Sequence, residues 1–194
     1  MNIEIIEEPI RFHLHGIEGV VQNERYAEVG LRLMDAIWQA VKGAKIPNTG
    51  INHWVYLSAG RMFVGVEFRN AQQASIPDLL RPLEFELKRS MKHVHVGPYQ
   101  ELPRKWKDLQ AELIARGEII GSPSLEVYGH HWAEPSKLET TILIGLQPKP
   151  ERATCRKLAA LTRRIWQAGP TCGCDFDILS RRSENGVIVA TNSG

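Results

Sequence analysis

Cysteine is scarce in this chain of 194 residues: the three it has are Cys155, Cys172 and Cys174. An odd number confined to the C-terminal part excludes a disulfide framework, and Cys172-Gly-Cys174 has no second pair with which to form a metal knuckle. Long apolar runs are also missing. No stretch approaches the roughly 18 residues that a membrane span needs, and no cationic start followed by an apolar segment opens the chain. A reduced, cytoplasmic setting is expected. Neither sign of charge dominates, with 24 Lys and Arg against 22 Asp and Glu, so direct binding to nucleic acid is not expected. A glycine-rich phosphate loop, a Gly-x-Ser-x-Gly elbow and a His-Glu-x-x-His helix are all lacking, which excludes catalysis by those standard motifs. No helix-turn-helix is recognisable, so any role in transcription would pass through a partner.

Periodic apolar pattern is plentiful. Ile3 to Ile6 and Ile10 to His15 read as short strands on either side of Pro9, the second ending at His15-Gly16. Ala27, Leu31, Met34, Trp38 and Val41 recur at helical spacing, and Gly43 is expected to end that helix. Ile51 to Leu57 and Met62 to Phe68 alternate as strands around the turn Ser58-Ala59-Gly60-Arg61. Ala71 to Pro82 reads as a surface crossing in which Ile76, Leu79 and Leu80 supply packing, and Phe85 to Leu87 adds a possible strand.

A second set of elements begins at Met91. Alternation through His93-Val-His95 gives a strand that Gly97-Pro98 interrupts. Leu102, Trp106, Leu109 and Leu113 then form one stripe of a helix closed by Gly117, and Ser124 to Tyr128 and Leu138 to Leu146 give two further strands. Each half thus has the order strand, helix, strand, strand. His13-Leu14-His15 answers His93-Val94-His95, Gly43 answers Gly117, and Trp54-Val55-Tyr56 answers Glu126-Val127-Tyr128. A period near 73 residues is too long for a solenoid and suits two halves that share one sheet.

Gly97-Pro98-Tyr99-x-x-Leu102, Trp106, Gly117, Leu125-Glu126-Val127-Tyr128 and the run Thr140 to Leu146 together resemble the GyrI-like effector-binding domain, which also occurs attached to AraC-type and MerR-type multidrug regulators. Members often carry Asn-Asp-Pro after the tyrosine, where this chain has Gly129-His130-His131-Trp132-Ala133-Glu134-Pro135. The resemblance implies an α+β fold. Duplicated strand-helix-strand-strand modules of SHS2 type would form one largely antiparallel sheet, with two helices on one face and a ligand groove between them. It covers residues 1–147, with halves at about 1–70 and 83–147, and leaves 148–194 as a C-terminal extension.

Period-two alternation puts Ser124, Glu126 and Tyr128 on one strand face, and Asn52, Trp54 and Tyr56 on the matching face of the first half. By the resemblance, Glu126 and Trp54 approach each other across the central groove. Tyr56, Tyr99, Tyr128, Trp38 and Trp106 are candidate wall residues that serve equally well as ordinary core. A carboxylate with little water around it is costly unless paired, and aromatic faces beside it attract cations. The implied ligand is therefore a lipophilic, cationic aromatic compound bound for drug sensing or sequestration, with Glu126 as counter-ion and Trp54 as stacking face. Two alternatives implied by the same family stand beside this: a hydrolase of strained cyclopropane-type compounds with Glu126 as general base, and a gyrase-inhibitor-like interaction module. A homodimer or a protein partner is left open.

No cofactor is expected. The paired histidines His13/His15 and His93/His95 share strand faces at zinc-like spacing, but no carboxylate or cysteine is placed to complete a set, so no metal is expected. His130-His131 falls in a loop. Beyond Pro148 the chain turns basic, with Leu158, Leu161, Ile165 and Trp166 on one amphipathic helix broken at Gly169-Pro170, and Gly186 to Ala190 as a final strand.

Overall fold

The computed structural model describes residues 2–68, 75–129 and 134–149. The expected loop histidines His130 and His131, the helix through Trp166, the three cysteines and the strand at 186–190 lie outside the described residues.

The first half runs β1 (Glu4–Ile6), β2 (Ile10–Val20), α1 (Tyr26–Gly43), β3 (Asn48–Tyr56) and β4 (Arg61–Phe68). The second runs β5 (Arg81–Leu87), β6 (Ser90–Val96), α2 (Leu102–Ala115), β7 (Ser124–Tyr128) and β8 (Glu139–Gly145). The fold is α+β. One eight-stranded sheet has the order β1-β6-β8-β7-β3-β4-β2-β5, and every pairing in it is antiparallel. Read from either edge the order is the same under the exchange of halves. Each half therefore has five elements rather than the four expected. The leading strand of each half, β1 or β5, adds to the outer edge of the other half's β6 or β2. Pro82 stands within β5, opposite His15. An edge strand accommodates a proline because one of its sides lacks a ladder partner.

Both helices cover the face that carries Trp54 and Glu126. Under α1, the core holds Leu33, Ile37, Val41, Trp54, Met62, Val64 and Val66; under α2, it holds Met91, Leu109, Leu113, Ile142 and Ile144. A separate cluster of Phe12, Leu14, Val55, Phe63, Leu87, Leu125 and Leu143 occupies the other face.

Four expectations are corrected. β2 does not stop at Gly16 but continues to Val20. The buried stripe of α1 is Val29, Gly30, Leu33, Ile37 and Val41, whereas Leu31 is 51% exposed and Ala27 is exposed. Two apolar stripes compete on this helix, and packing against Trp54 decides between them. A Cβ on Gly30 would lie 2.5 Å from the Trp54 ring, so glycine is what lets this side approach the sheet. Gly43 is still helical, and the left-handed residue that closes α1 is Lys45, with φ 53°. Its counterpart after α2 is Gly117, with φ 73°, at the same offset that relates Trp54 to Glu126. The histidine pairs, finally, are not equivalent. His93 faces Ile142 and His95 faces Thr140, while the corresponding positions in β2 hold Ile17 and Gly19. The stretch from β2 to β3 is longer than that from β6 to β7, which shifts the register: Ile17 to Trp54 spans 37 positions and His93 to Glu126 spans 33.

Candidate ligand site

Strand β7 is short, and its alternation turns Ser124, Glu126 and Tyr128 towards the helices and Leu125 and Val127 towards the opposite cluster. β7 pairs with β3 at the centre of the sheet. In that pairing Trp54 stands directly opposite Glu126, Asn52 opposite Tyr128 and Tyr56 opposite Ser124. Directly opposed residues of an antiparallel pair share a face, with Cβ atoms about 5 Å apart. Trp54 and Glu126, equivalent in the two halves, thus meet as cross-strand neighbours on the pseudo-two-fold axis. They do not face each other across a groove.

The Glu126 carboxylate is 3% exposed and accepts three hydrogen bonds. Tyr56 donates its hydroxyl to Oε2 at 2.6 Å and Tyr128 donates to the same oxygen at 2.5 Å. From α2, Trp106 donates Nε1–H to Oε1 at 2.5 Å. Burial pushes both tyrosine hydroxyls well above the ordinary phenol range, and the Glu126 charge adds to the effect. They are therefore neutral donors at physiological pH. No Lys, Arg or His among the described residues forms an ion pair with Glu126.

Aromatic rings surround this carboxylate in two series, Tyr26–Tyr56–Trp106 and Trp54–Tyr128–Tyr99. Tyr26 packs edge-on against Tyr56 at 5.5 Å, as does Tyr56 against Trp106 at 5.2 Å and Tyr99 against Tyr128 at 5.3 Å, while Trp54 meets Tyr128 at a tilt at 5.1 Å. Tyr26, Tyr56, Tyr99, Tyr128 and Trp106 are half-buried, while Trp54 is buried. Of the residues singled out in the sequence, Tyr56, Tyr128, Trp106, Trp54 and Tyr99 are gathered around Glu126. Trp38 is set apart from it and donates Nε1–H to Oδ1 of Asn52 at 2.9 Å. Tyr26 was not singled out. Its spacing of four from Gly30, on the stripe that faces the sheet, is the signal that finds it.

The histidines do not converge. β2 and β6 are separated by four intervening strands. His13 lies beside Glu84, His15 stacks on Phe68, His93 contacts the Asn2 carbonyl and His95 lies near the Pro98 carbonyl. No group of three metal-ligating side chains occurs among the described residues. No helix among them is long and apolar enough to cross a membrane.

A surface cavity of about 340 Å³ is lined by Glu86 to Arg89, Gly121, Ser122 and Gly145 to Pro148, and none of the rings around Glu126 borders it. The carboxylate itself is closed over. As a general base it would need a reachable water, yet both its oxygens are engaged by donors. Its charge, by contrast, has no match among the described residues, because hydrogen bonds from neutral groups satisfy lone pairs without cancelling charge.

Solved structures share this fold. The C-terminal domain of EcmrR superposes with a TM-score of 0.57 and 14% identity over 77% of this chain and 100% of that one. The fold is the GyrI-like effector-binding fold. SAV2435, solved with tetraphenylphosphonium, superposes with a TM-score of 0.51 and 16% identity over 76% of this chain and 94% of that one. EcmrR in a DNA complex gives 0.57 and 13% identity, over 76% of this chain and 58% of that one. No family model and no curated protein matches the sequence.

Proposed function

We propose that this protein is a small-molecule receptor of the GyrI-like effector-binding family, which captures lipophilic cationic aromatic compounds on the ring cluster around Glu126. The observation that carries the reading is a buried carboxylate with three neutral donors and no cationic partner among the described residues. A buried anion is costly when its charge is uncompensated, and a bound cation supplies the compensation. Ligand contact falls first on the half-buried faces of Tyr26, Tyr56, Tyr99, Tyr128 and Trp106. Each face contributes about 0.5–2 kcal/mol of cation–π attraction. The Glu126 charge adds about 3 kcal/mol at ~6 Å for an effective dielectric of about 20. Strongly hydrated cations such as Na⁺ gain little here, because they must shed water to reach the rings. Tetraphenylphosphonium on SAV2435, a protein of the same fold, supports the choice of ligand class. The biological role is drug sensing or sequestration, and a transcriptional output would be reached through a partner.

Calorimetric titration with tetraphenylphosphonium and rhodamine 6G, native protein against Glu126→Gln, tests the reading. The variant is expected to bind at least about tenfold more weakly, since even ~1.4 kcal/mol of lost attraction has that effect. Equal affinities would remove Glu126 from the site.

A further inference from the structure

Among the described residues, four buried side-chain atoms that can hydrogen bond have no partner: His53 Nδ1, Trp54 Nε1, Ser90 Oγ and Thr140 Oγ1. Two of the four flank one residue. Trp54 packs against the Tyr128 ring, and Thr140 is the β8 residue directly opposite Tyr128 on the same face. Trp54 is 7% exposed and Thr140 fully buried.

The indole of Trp54 is oriented by its packing. Its Cε3, Cζ3 and Cη2 edge is the part that meets Gly30 of α1. Glu126 stands opposite Trp54 on the adjoining strand, and its three donors come from Tyr56, Tyr128 and Trp106 rather than from Trp54. The other two tryptophans among the described residues both place their Nε1–H, Trp106 on Glu126 and Trp38, outside the site, on Asn52. Trp54 alone of the three does not. An indole nitrogen can only donate, and a buried donor left without an acceptor costs about 1–3 kcal/mol.

We infer that the ligand of this site carries a hydrogen-bond acceptor, such as a carbonyl or ether oxygen, which Trp54 Nε1–H engages while the cationic part lies against the rings around Glu126. The inference rests on the receptor reading and deepens it: the site selects among lipophilic cations for those with an acceptor beside the charge. Thr140 Oγ1 offers a second polar contact on the far side of Tyr128. Selection of this kind is strong because a site with a placed donor rejects the analogue that leaves the donor unpaired.

The experiment uses a matched pair of probes, a triphenylphosphonium with a phenyl ketone arm and its counterpart with a methylene group in place of the ketone. The ketone is set three methylenes from phosphorus, because a ketone directly beside the P–CH2 group would let that group lose a proton and become a neutral ylide near neutral pH. Both probes are then permanent cations of nearly equal size. The full-length native protein is expected to bind the ketone at least about fivefold more tightly, the lower end of the cost of an unpaired donor. In Trp54→Phe the ratio of the two affinities is expected to fall to about one, whatever loss the probes share. A readout that needs no variant is the indole N–H resonance of Trp54 in the native protein. It is expected to move downfield with the ketone and not with the methylene probe. Equal binding of the two probes to native protein, with that resonance unmoved, overturns the acceptor inference while leaving cation capture intact. Failure of both probes to bind removes the receptor reading and the inference together.

Discussion

Glu126 and Arg89 are both buried, at 3% and 4% exposure, and the chain surrounds them differently. Arg89, in the turn between β5 and β6, is held by two carboxylates. It donates to Glu118 at 2.5 and 2.9 Å and to Glu7 at 2.8 Å. Glu118 also lies 3.4 Å from the Lys149 ammonium. These contacts draw together the link after β1, the turn before β6 and the link from α2 to β7, and opposite charges cancel within the protein. Glu126 has only hydroxyl and indole donors among the described residues. The Arg89 corner is electrostatically complete and reads as structure. The Glu126 centre is satisfied in hydrogen bonds and, among the described residues, has no cationic partner, which is what the proposed capture of a cation requires.

The largest effect that sharpens this contrast is expected at the complete corner. Arg89→Met leaves Glu118, 10% exposed at its side chain, without its bidentate partner. It should cost about 3–5 kcal/mol in denaturant unfolding, the usual penalty for breaking a buried pair. Glu126→Gln should cost less in the same assay while costing more in cation affinity. Equal stability losses at the two positions would dissolve the distinction.

Acid should separate them next. The Arg89 guanidinium holds the Glu118 carboxyl down at about 2, below its unfolded value of about 4.3. A depressed folded value means that the contribution is fully present above about pH 4.3 and is lost as pH falls towards 2. The denaturation midpoint should fall over that window in native protein, by the equivalent of roughly 2 kcal/mol. The step should be absent in Arg89→Met, and its persistence there would assign it to another carboxyl.

Smaller effects are expected from single donors. Trp106→Phe removes a hydrogen bond to a charged acceptor and should cost about 1.5–3 kcal/mol. Trp38→Phe removes a neutral bond to Asn52 and should cost about 0.5–1.5 kcal/mol. Thermal unfolding of both variants checks the order. The reverse order would show that the charge on Glu126 adds nothing to its hydrogen bonds.

Much of the architecture was legible in the chain because it rests on local periodicity. Alternation in Ser124 to Tyr128 and in Asn52 to Tyr56 placed the right residues on one face, and the match of Trp54 with Glu126 located the pseudo-two-fold axis. Local pattern failed wherever two arrangements satisfied it equally. On α1 both Ala27-Leu31-Met34 and Val29-Leu33-Ile37 make apolar stripes, and the choice lies with Gly30 against Trp54. His13-x-His15 and His93-x-His95 look alike as strings, yet the register of β2 against β4 and of β6 against β8 gives them different neighbours. The leading strands were seen as strands but not as members of the repeat, since each completes the other half's sheet edge.

The sequence alone determined that two similar units with helical and strand periods would share a sheet and present an acid and several rings on one face. Those properties depend on spacing within a few residues. Only the tertiary structure decided that Glu126 meets Trp54 directly, takes donors from Tyr56, Tyr128 and Trp106, and has no cationic partner among the described residues. These facts depend on strand register and on where α2 sits. Hydrogen bonds and charge pairs form between side chains far apart in the chain, and such distances are set by packing rather than by pattern.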